Sequence, residues 1–380
     1  MRSEDCTWPR LTSQLIRGED LPAASAAWAM DEVMGGGATP VQLAGFLVAL
    51  AGKGVTSTEL GALADAMIGH ARPVDLPRRA VDIVGTGGDL ANTVNISTMA
   101  AVIVAASGRA VFKHGNRAST SKSGTADVLE ALGVRVDLPV ASTESLAREL
   151  GIAFLFAQVY HPSMRFAVDA RKGLGVPTVF NVLGPITNPA RPRASAVGVA
   201  DPVMAPTVAG VFAGRGTSAL VFRGQDGLDE LTVGACSDIW EVRAGTVASH
   251  VLDPRELLGI PRAPVDALRG GTALENAGSA RELFAGGGRE AVRDAVLLNA
   301  AAGILAFDGI DDGPATSDSS SGAEHDAAAG VRAGTASSGD RPFEERFTAA
   351  FEEAARTLES GDPERLLARW SERSSAGATD

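Results

Sequence analysis

Lysine is scarce in this 380-residue chain: four lysines stand against 30 arginines. Cysteine is scarcer still, with Cys6 and Cys236 only, and aromatic residues make up 5% of the sequence. Two distant thiols exclude a disulfide framework and fit a reducing compartment. Neither has a Cys or His neighbour at metal-binding spacing. No stretch approaches the roughly 20 apolar residues of a membrane-spanning helix. Positive charge is short overall, with 34 basic against 46 acidic residues and a net charge of −12. That balance argues against nucleic acid or an anionic membrane as partner. Small anionic substrates stay open, because a local site can oppose the global sign. Met1–Arg10 carries Glu4 and Asp5 and lacks an apolar core, so it does not read as a signal peptide. The expected location is cytoplasmic.

Hydrophobic residues are not scarce, at 45%, enough for one large domain and a small one. Residues 10–70 read as helical. Leu11, Leu15 and Ile16 are expected on one helical face, and Gly18 breaks that pattern. Ala23–Met34 ends at Gly35-Gly36-Gly37. Pro40 suits the first turn of a helix in which Leu43, Phe46, Leu47 and Leu50 recur at helical spacing. Thr56–His70 forms another, opened by a Ser57/Thr58 capping region.

From Val81 short apolar runs alternate with helical patterns, which predicts an α/β fold with helices covering a sheet. The expected strands are Val81–Val84, Ala110–Phe112, Phe154–Phe156, Thr178–Phe180, Ala196–Val199 and Ala219–Phe222. Leu231–Val233 and Trp240–Val242 follow closely enough to make part of the sheet antiparallel. Expected helices include Thr98–Ser107, Thr125–Leu132 and Ser142–Leu150. Residues 313–341 are small and polar with one large aliphatic residue, Val331, and read as a disordered surface insertion. Phe343, Phe347, Phe351, Leu358 and Leu366 then resume a helical pattern.

Six motifs carry candidate chemistry. Gly85-Thr86-Gly87-Gly88-Asp89 follows a strand, and its glycines let backbone N–H groups approach an anion. It lacks the third Rossmann glycine, since position 90 is Leu90, and it lacks the Walker Gly-Lys-Ser/Thr. A plain strand-to-helix turn is the alternative. Thr93-Val94-Asn95-Ile96-Ser97-Thr98 opens a helix and suits an anion or a simple N-cap. Lys113-His114-Gly115-Asn116-Arg117-Ala118-Ser119-Thr120-Ser121-Lys122-Ser123-Gly124 concentrates cations and hydroxyls in a lysine-poor chain, which favours an anion site over a solvated basic loop. His161-Pro162-Ser163-Met164 precedes Arg171-Lys172. Arg171, placed in the turn before Gly173, suits a carboxylate or a helix C-terminus. Phe180–Pro189 reads as a rigid crossing segment, not a helix. Asp226-Gly227-Leu228-Asp229-Glu230 suits Mg²⁺, or else a solvated turn.

Taken together, in this order and spacing, the motifs GTGGD, NIST, KHGNRASTSKSGTADVLEALG, HPSM, RKGLG, FNVLGPITNP and GLDE resemble those of anthranilate phosphoribosyltransferases. The resemblance covers roughly residues 10–310 and the final helix. It implies a small helical domain, 1–75, completed by part of 162–190, and a large α/β domain, 76–380, with a central mixed sheet. It implies that Gly85, Gly88, Asp89, Thr93, Asn95, Ile96, Ser97, Thr98, Lys113, His114, Gly115, Asn116, Arg117, Ala118, Ser119, Thr120, Ser121 and Thr125 bind phosphoribosyl pyrophosphate. Gly85, Asn116 and Arg171 would bind anthranilate. Two Mg²⁺ ions would be held, one by Ser97 and Glu230 and one by Asp229 with Glu230, in a homodimer formed through the small domain. An aryl amine is unprotonated at neutral pH, so no catalytic base is assigned; His114 is a candidate. Two features depart from the family: Thr125 where Ser is usual, and the insertion. A nucleoside phosphorylase of the same fold and a non-enzymatic nucleic-acid-binding relative are the rival readings. Arg171 argues against the first, and Asp229-Glu230 with the net charge argues against the second.

Overall fold

The computed structural model describes residues 6–118, 122–310 and 341–376. Residues 311–340, which hold nearly all of the expected insertion, lie outside the described residues, as do Ser119, Thr120 and Ser121. Four helices come first: α1 Trp8–Ile16, α2 Ala23–Met34, α3 Pro40–Lys53 and α4 Ser57–Gly69. Thr39 and Thr56 open α3 and α4 through capping boxes with Gln42 and Glu59, so the α4 cap falls one residue before the expected region. Leu43, Phe46, Leu47 and Leu50 are buried, as are Leu11 and Leu15. Ile16 is not: it is 74% exposed. At 3.6 residues per turn, positions 11 and 15 share a face and position 16 turns away from it.

The remaining chain builds one seven-stranded mixed sheet among the described residues. Its strands are β1 Val81–Gly85, β2 Val111–Gly115, β3 Ile152–Phe156, β4 Ala194–Gly198, β5 Ser218–Gly224, β6 Ser237–Arg243 and β7 Thr246–Leu252, in the order β3-β2-β1-β4-β5-β6-β7. β1 to β5 are parallel, and β6 and β7 are antiparallel. The chain moves outward from β1 through β2 to β3, then returns to the other side of β1 for β4. The crevice at the C-terminal ends of β1 and β4 is therefore a topological switch point, where open α/β sheets bind ligands.

Helices cover both faces. α5 Ile96–Ala106 and α14 Glu290–Asp308 lie on one face with α6 Thr125–Ala131, α13 Ala273–Phe284, α15 Phe343–Glu359 and α16 Asp362–Ala376 sharing its core. The other core joins the helical N-terminal unit and α11 Met204–Gly214 to Val197, Val199, Ala219, Val221 and Val242. Shorter helices α7 Val140–Leu150, α8 Ala157–Tyr160, α9 Val168–Leu174, α10 Phe180–Leu183 and α12 Pro254–Leu258 complete the chain. No described helix is long and apolar enough to cross a membrane.

Four expectations need correction. Thr178–Phe180 is not a strand, and Phe180–Pro189 is not free of helix: the Thr178 N–H is taken by Asn181 Oδ1 at 3.0 Å, α10 begins at Phe180, and a 3₁₀ turn follows over Gly184–Ile186. Leu231–Val233 is buried but pairs with no strand among the described residues. The Asn299 amide stands in for a neighbouring strand, accepting from Leu231 N–H at 3.2 Å and donating to its carbonyl at 3.0 Å. β7 escapes notice in the sequence because it is a mostly exposed edge, joined to β6 through Ala244 and Gly245, both at positive φ. Arg171 lies within α9, not in a turn.

Candidate functional site

The site forms where β1 and β4 end side by side, with Gly85 in register with Gly198. The turn after β5 brings Asp229 against both strand ends. A Cβ on Gly198 would overlap the Asp229 carbonyl, and one on Gly85 would overlap its carboxylate. These glycines are therefore needed for close approach. Gly87 N–H donates to Asp229 Oδ2 at 2.6 Å.

Asp89, Asp229 and Glu230 each turn a carboxylate into a space where the oxygens lie within 4.8 Å of one another. Burial pushes the Asp229 carboxyl up to about 7, reinforced by the charge of Asp89. Burial and the charge of Asp229 push Glu230 well above the usual carboxylate range. Thr93 donates weakly to Glu230 Oε1 at 3.4 Å, while Glu230 Oε2 is buried with no hydrogen-bond partner among the described residues. Buried like charges and an orphaned acceptor are costly. A hard divalent cation with oxygen ligands relieves both, so the donor set fits Mg²⁺.

Lys113 stands on β2, 2% exposed. Its ammonium donates to the Ile83 carbonyl and to Ser97 Oγ, the latter at 3.1 Å. Desolvation draws it down to about 8, against the fields of Asp82, Asp229 and Glu230. Asp82, inside β1, is fully buried and is raised to about 6 by desolvation, opposed by Lys113. It accepts from Asn188 Nδ2 at 2.8 Å and His114 N–H at 3.1 Å. Asp82 and Asn188 were missed as site-supporting residues. A charged residue inside the apolar run Val81–Val84 was the available signal for Asp82.

His114 Nδ1 faces the Gly184 carbonyl at 3.1 Å and so carries the hydrogen there. Its Nε2 is buried without a hydrogen-bond partner. Burial and the neighbouring His161 ring, 5.1 Å between centroids, hold the imidazole down at about 3. His161 donates to or accepts from nothing in the cluster; its Nε2 meets the Thr187 carbonyl at 2.9 Å.

The other predicted residues divide. Asn95, Ile96, Ser97 and Thr98 open α5 beside the carboxylates, Asn95 reaching the Ser123 carbonyl at 3.3 Å. Gly115 ends β2, and Thr125 begins α6. Ala118 N–H is taken by Asp127 at 3.1 Å, and Asn116 Oδ1 accepts from Arg117 N–H at 2.8 Å. Arg117 turns outward onto α6, paired with Asp127 at 2.9 Å and Glu130 at 2.6 Å. Gly88 is exposed at positive φ. Arg171 lies over the Phe180 ring at 5.2 Å, and burial lowers its basicity. No described carboxylate pairs with it.

Known proteins match this architecture. The helical bundle domain of the glycosyl transferase family matches residues 9–71, and that family's a/b domain matches residues 77–337. The anthranilate phosphoribosyltransferase of Arthrobacter sp. (strain FB24) is 59% identical over 302 residues, 80% of this chain and 85% of that protein. That of Rhodococcus jostii (strain RHA1) is 52% identical over 373 residues, 98% and 95% of the two chains. The crystal structure of the Thermus thermophilus enzyme superposes with a TM-score of 0.81 at 38% identity, covering 96% of this chain and 99% of its own. The Saccharomyces cerevisiae enzyme in complex with PRPP and Mg shares the fold at 24% identity, with a TM-score of 0.80 over 99% and 100% of the two chains.

Proposed function

The chain belongs to the anthranilate phosphoribosyltransferase family and transfers phosphoribosyl from phosphoribosyl pyrophosphate to the anthranilate amine in tryptophan biosynthesis, and we propose that it does so with magnesium held by Asp229 and Glu230, faced by Asp89. The orphaned Glu230 Oε2 among three carboxylates is the observation that carries this reading. Two ions are proposed, one toward Ser97 and Glu230 and one toward Asp229 with Glu230. The metal would supply positive charge to the pyrophosphate as its negative charge develops.

The chain's own residues do the rest by positioning. Gly85, Gly88, Thr93, Asn95 and Thr98 are assigned to the donor, with Lys113 as a buried cation near its phosphates. The Arg117 and Ala118 N–H groups would have to leave Asn116 Oδ1 and Asp127 to contribute. Arg117 would have to leave Asp127 and Glu130 to contribute. As the amine nitrogen bonds to the anomeric carbon, the bond to pyrophosphate breaks and pyrophosphate leaves with the electron pair. The nitrogen then carries an acidic proton. A weak base suffices to accept it, and no side chain is assigned to that step; His114 is a candidate whose free nitrogen, Nε2, is buried. Gly85, Asn116 and Arg171 are assigned to anthranilate.

Two further proposals complete this reading. Residues 1–75, completed by part of 162–190, form a domain distinct from 76–380, and two copies meet through it. Val41 and Val48, one helix face of α3, are 82% and 52% exposed, and Ile16 on neighbouring α1 is 74% exposed. Sedimentation should give twice the 38.8 kDa chain mass; a single chain mass would overturn the dimer. The free thiols Cys6 and Cys236 fit the proposed cytoplasmic location.

Anthranilate fluorescence tests the metal proposal. The signal should fall only with anthranilate, phosphoribosyl pyrophosphate and Mg²⁺ together, and chelation should stop it. Full turnover of chelated, metal-stripped enzyme would overturn the proposal.

A further inference from the structure

Asn276 is 3% exposed, on α13, 181 residues from Asn95 in sequence. A buried amide side chain must place all its polar atoms, and here the placement has a direction. Gly271 N–H can only donate, and it meets Asn276 Oδ1 at 2.8 Å. The Asn276 NH₂ therefore faces away from Gly271, and it donates to Asn95 Oδ1 at 2.8 Å. Asn95 must then present its own NH₂ on the other side, where it meets the Ser123 carbonyl at 3.3 Å. One backbone donor thus sets the orientation of two amides in series.

The same stretch grips the donor segment along its backbone. Val94 N–H donates to the Leu268 carbonyl at 2.9 Å, and Gly270 N–H donates to the Asn92 carbonyl at 2.8 Å. Thr93 and Arg269 form an antiparallel bridge between these bonds. A Cβ on Gly270 would come within 2.7 Å of both the Thr93 carbonyl and Asn276 Oδ1, so the approach requires glycine. Residues 268–270 lie like a short strand against residues 92–94, and the first turn of α13 adds an amide that reaches one residue further.

We propose that Asn276 is a positioning residue for the phosphoribosyl donor. It holds the Asn95 amide in one orientation and so ties the start of α5 to the chain at Ser123, immediately before α6. The effect falls on the donor half of the site, because Asn95 and Thr125, which flank this link, are assigned to that half alone, whereas Arg171 sits on α9. The inference rests on the assignment of Asn95 to the donor.

Two variants separate orientation from packing. Asn276→Ala removes the amide. Asn276→Asp keeps the shape and still accepts from Gly271 N–H, but its second oxygen faces Asn95 Oδ1. Asn95 must then flip and set its oxygen against the Ser123 carbonyl. Loss of one or two hydrogen bonds is worth roughly a factor of ten in binding. Both variants should raise KM for phosphoribosyl pyrophosphate about tenfold. KM for anthranilate and kcat should stay within about twofold. Asn95→Ala is the control for the underlying assignment and should raise the donor KM on its own. Wild-type donor KM in Asn276→Asp would overturn the orientation role. Equal rises in both KM values would overturn the donor-side role. If Asn95→Ala leaves the donor KM unmoved, the donor assignment itself falls. Should Asn276→Ala fail to fold, the isosteric Asn276→Asp still decides between the two roles.

Discussion

Glu241, buried, and Glu230, half-buried, are two glutamates beside the same sheet with opposite electrostatics. Glu241, on β6, receives both arms of Arg346 from α15 at 2.6 and 2.9 Å. His250 lies 3.3 Å away, stacked on Phe343. The two hydrogen bonds from Arg346, with His250 close by, outweigh desolvation and hold Glu241 down at about 2. Glu230 has two acidic neighbours and a weak hydroxyl contact, and its carboxyl is driven up. Burial alone does not mark a functional acid. A buried acid whose charge is matched stabilises the fold, and one whose charge is left unmatched awaits a cation supplied from outside.

Removing the unmatched charges should produce the largest effect. Asp229→Asn with Glu230→Gln takes away the proposed metal ligands and their mutual repulsion together. Turnover should fall at least about 100-fold, in line with loss of charge stabilisation at a leaving group. Thermal stability in chelator should hold or rise. The wild type should gain stability as magnesium is added, by about 2.7 kcal/mol at 100 times Kd, and the double variant should gain none. Equal kinetics of the two proteins at low magnesium would show the pair to be an ordinary turn.

Breaking the matched pair should do the reverse. Glu241→Gln leaves Arg346 without its carboxylate, and truncating one partner of a buried pair costs about 3 kcal/mol. Turnover below the melting range should not change. The pH dependence has a defined sign. Folding lowers the Glu241 carboxyl from its ordinary 4.5 to about 2, so its contribution is complete above about pH 4.5 and is lost as pH falls toward 2. Denaturant titrations from pH 7 to pH 2 should therefore converge for wild type and variant at the acid end. A constant gap across that range would mean that packing, not charge, links α15 to β6.

The two glutamates were not equally legible in the sequence. The parallel strands were readable because each is a short apolar run buried on both faces, as at Val81–Val84 and Phe154–Phe156. The motif residues gather at the ends of β1 and β2 because a loop following a parallel strand opens at the switch point. Glu230 was visible through its place in Asp226–Glu230. Glu241 was not, because its partner arrives from 105 residues away. The same distance problem hid Asn299, whose side chain replaces a strand beside Leu231, and Asn276, whose partner is Asn95. Asp89 was assigned to the pyrophosphate, and only the fold shows it facing Asp229 and Glu230. Side chains that satisfy remote backbone or amide groups leave no local period to read.

The same contrast holds among the arginines, and the smallest effect lies there. Arg346 lies 5.9 Å from the Phe343 ring and is paired with Glu241, while Arg171 lies 5.2 Å from the Phe180 ring with no described carboxylate. By the same logic the proposal makes Arg171 a cation for an external acid, and the anthranilate carboxylate has the planar geometry its guanidinium matches. Hydrogen bonds to charged groups contribute about 1.5–3 kcal/mol. Arg171→Ala should therefore raise KM for anthranilate roughly 10- to 100-fold, at about 1.4 kcal/mol per factor of ten. KM for phosphoribosyl pyrophosphate should stay near wild type, since the donor is assigned to residues from Gly85 to Thr125. Arg171→Lys should restore part of the loss, because an ammonium keeps the charge and lacks the fork. Stability should hardly change, as no ion pair is broken. If donor KM rises and anthranilate KM does not, Arg171 serves the donor, and the halves of the site are assigned the wrong way round.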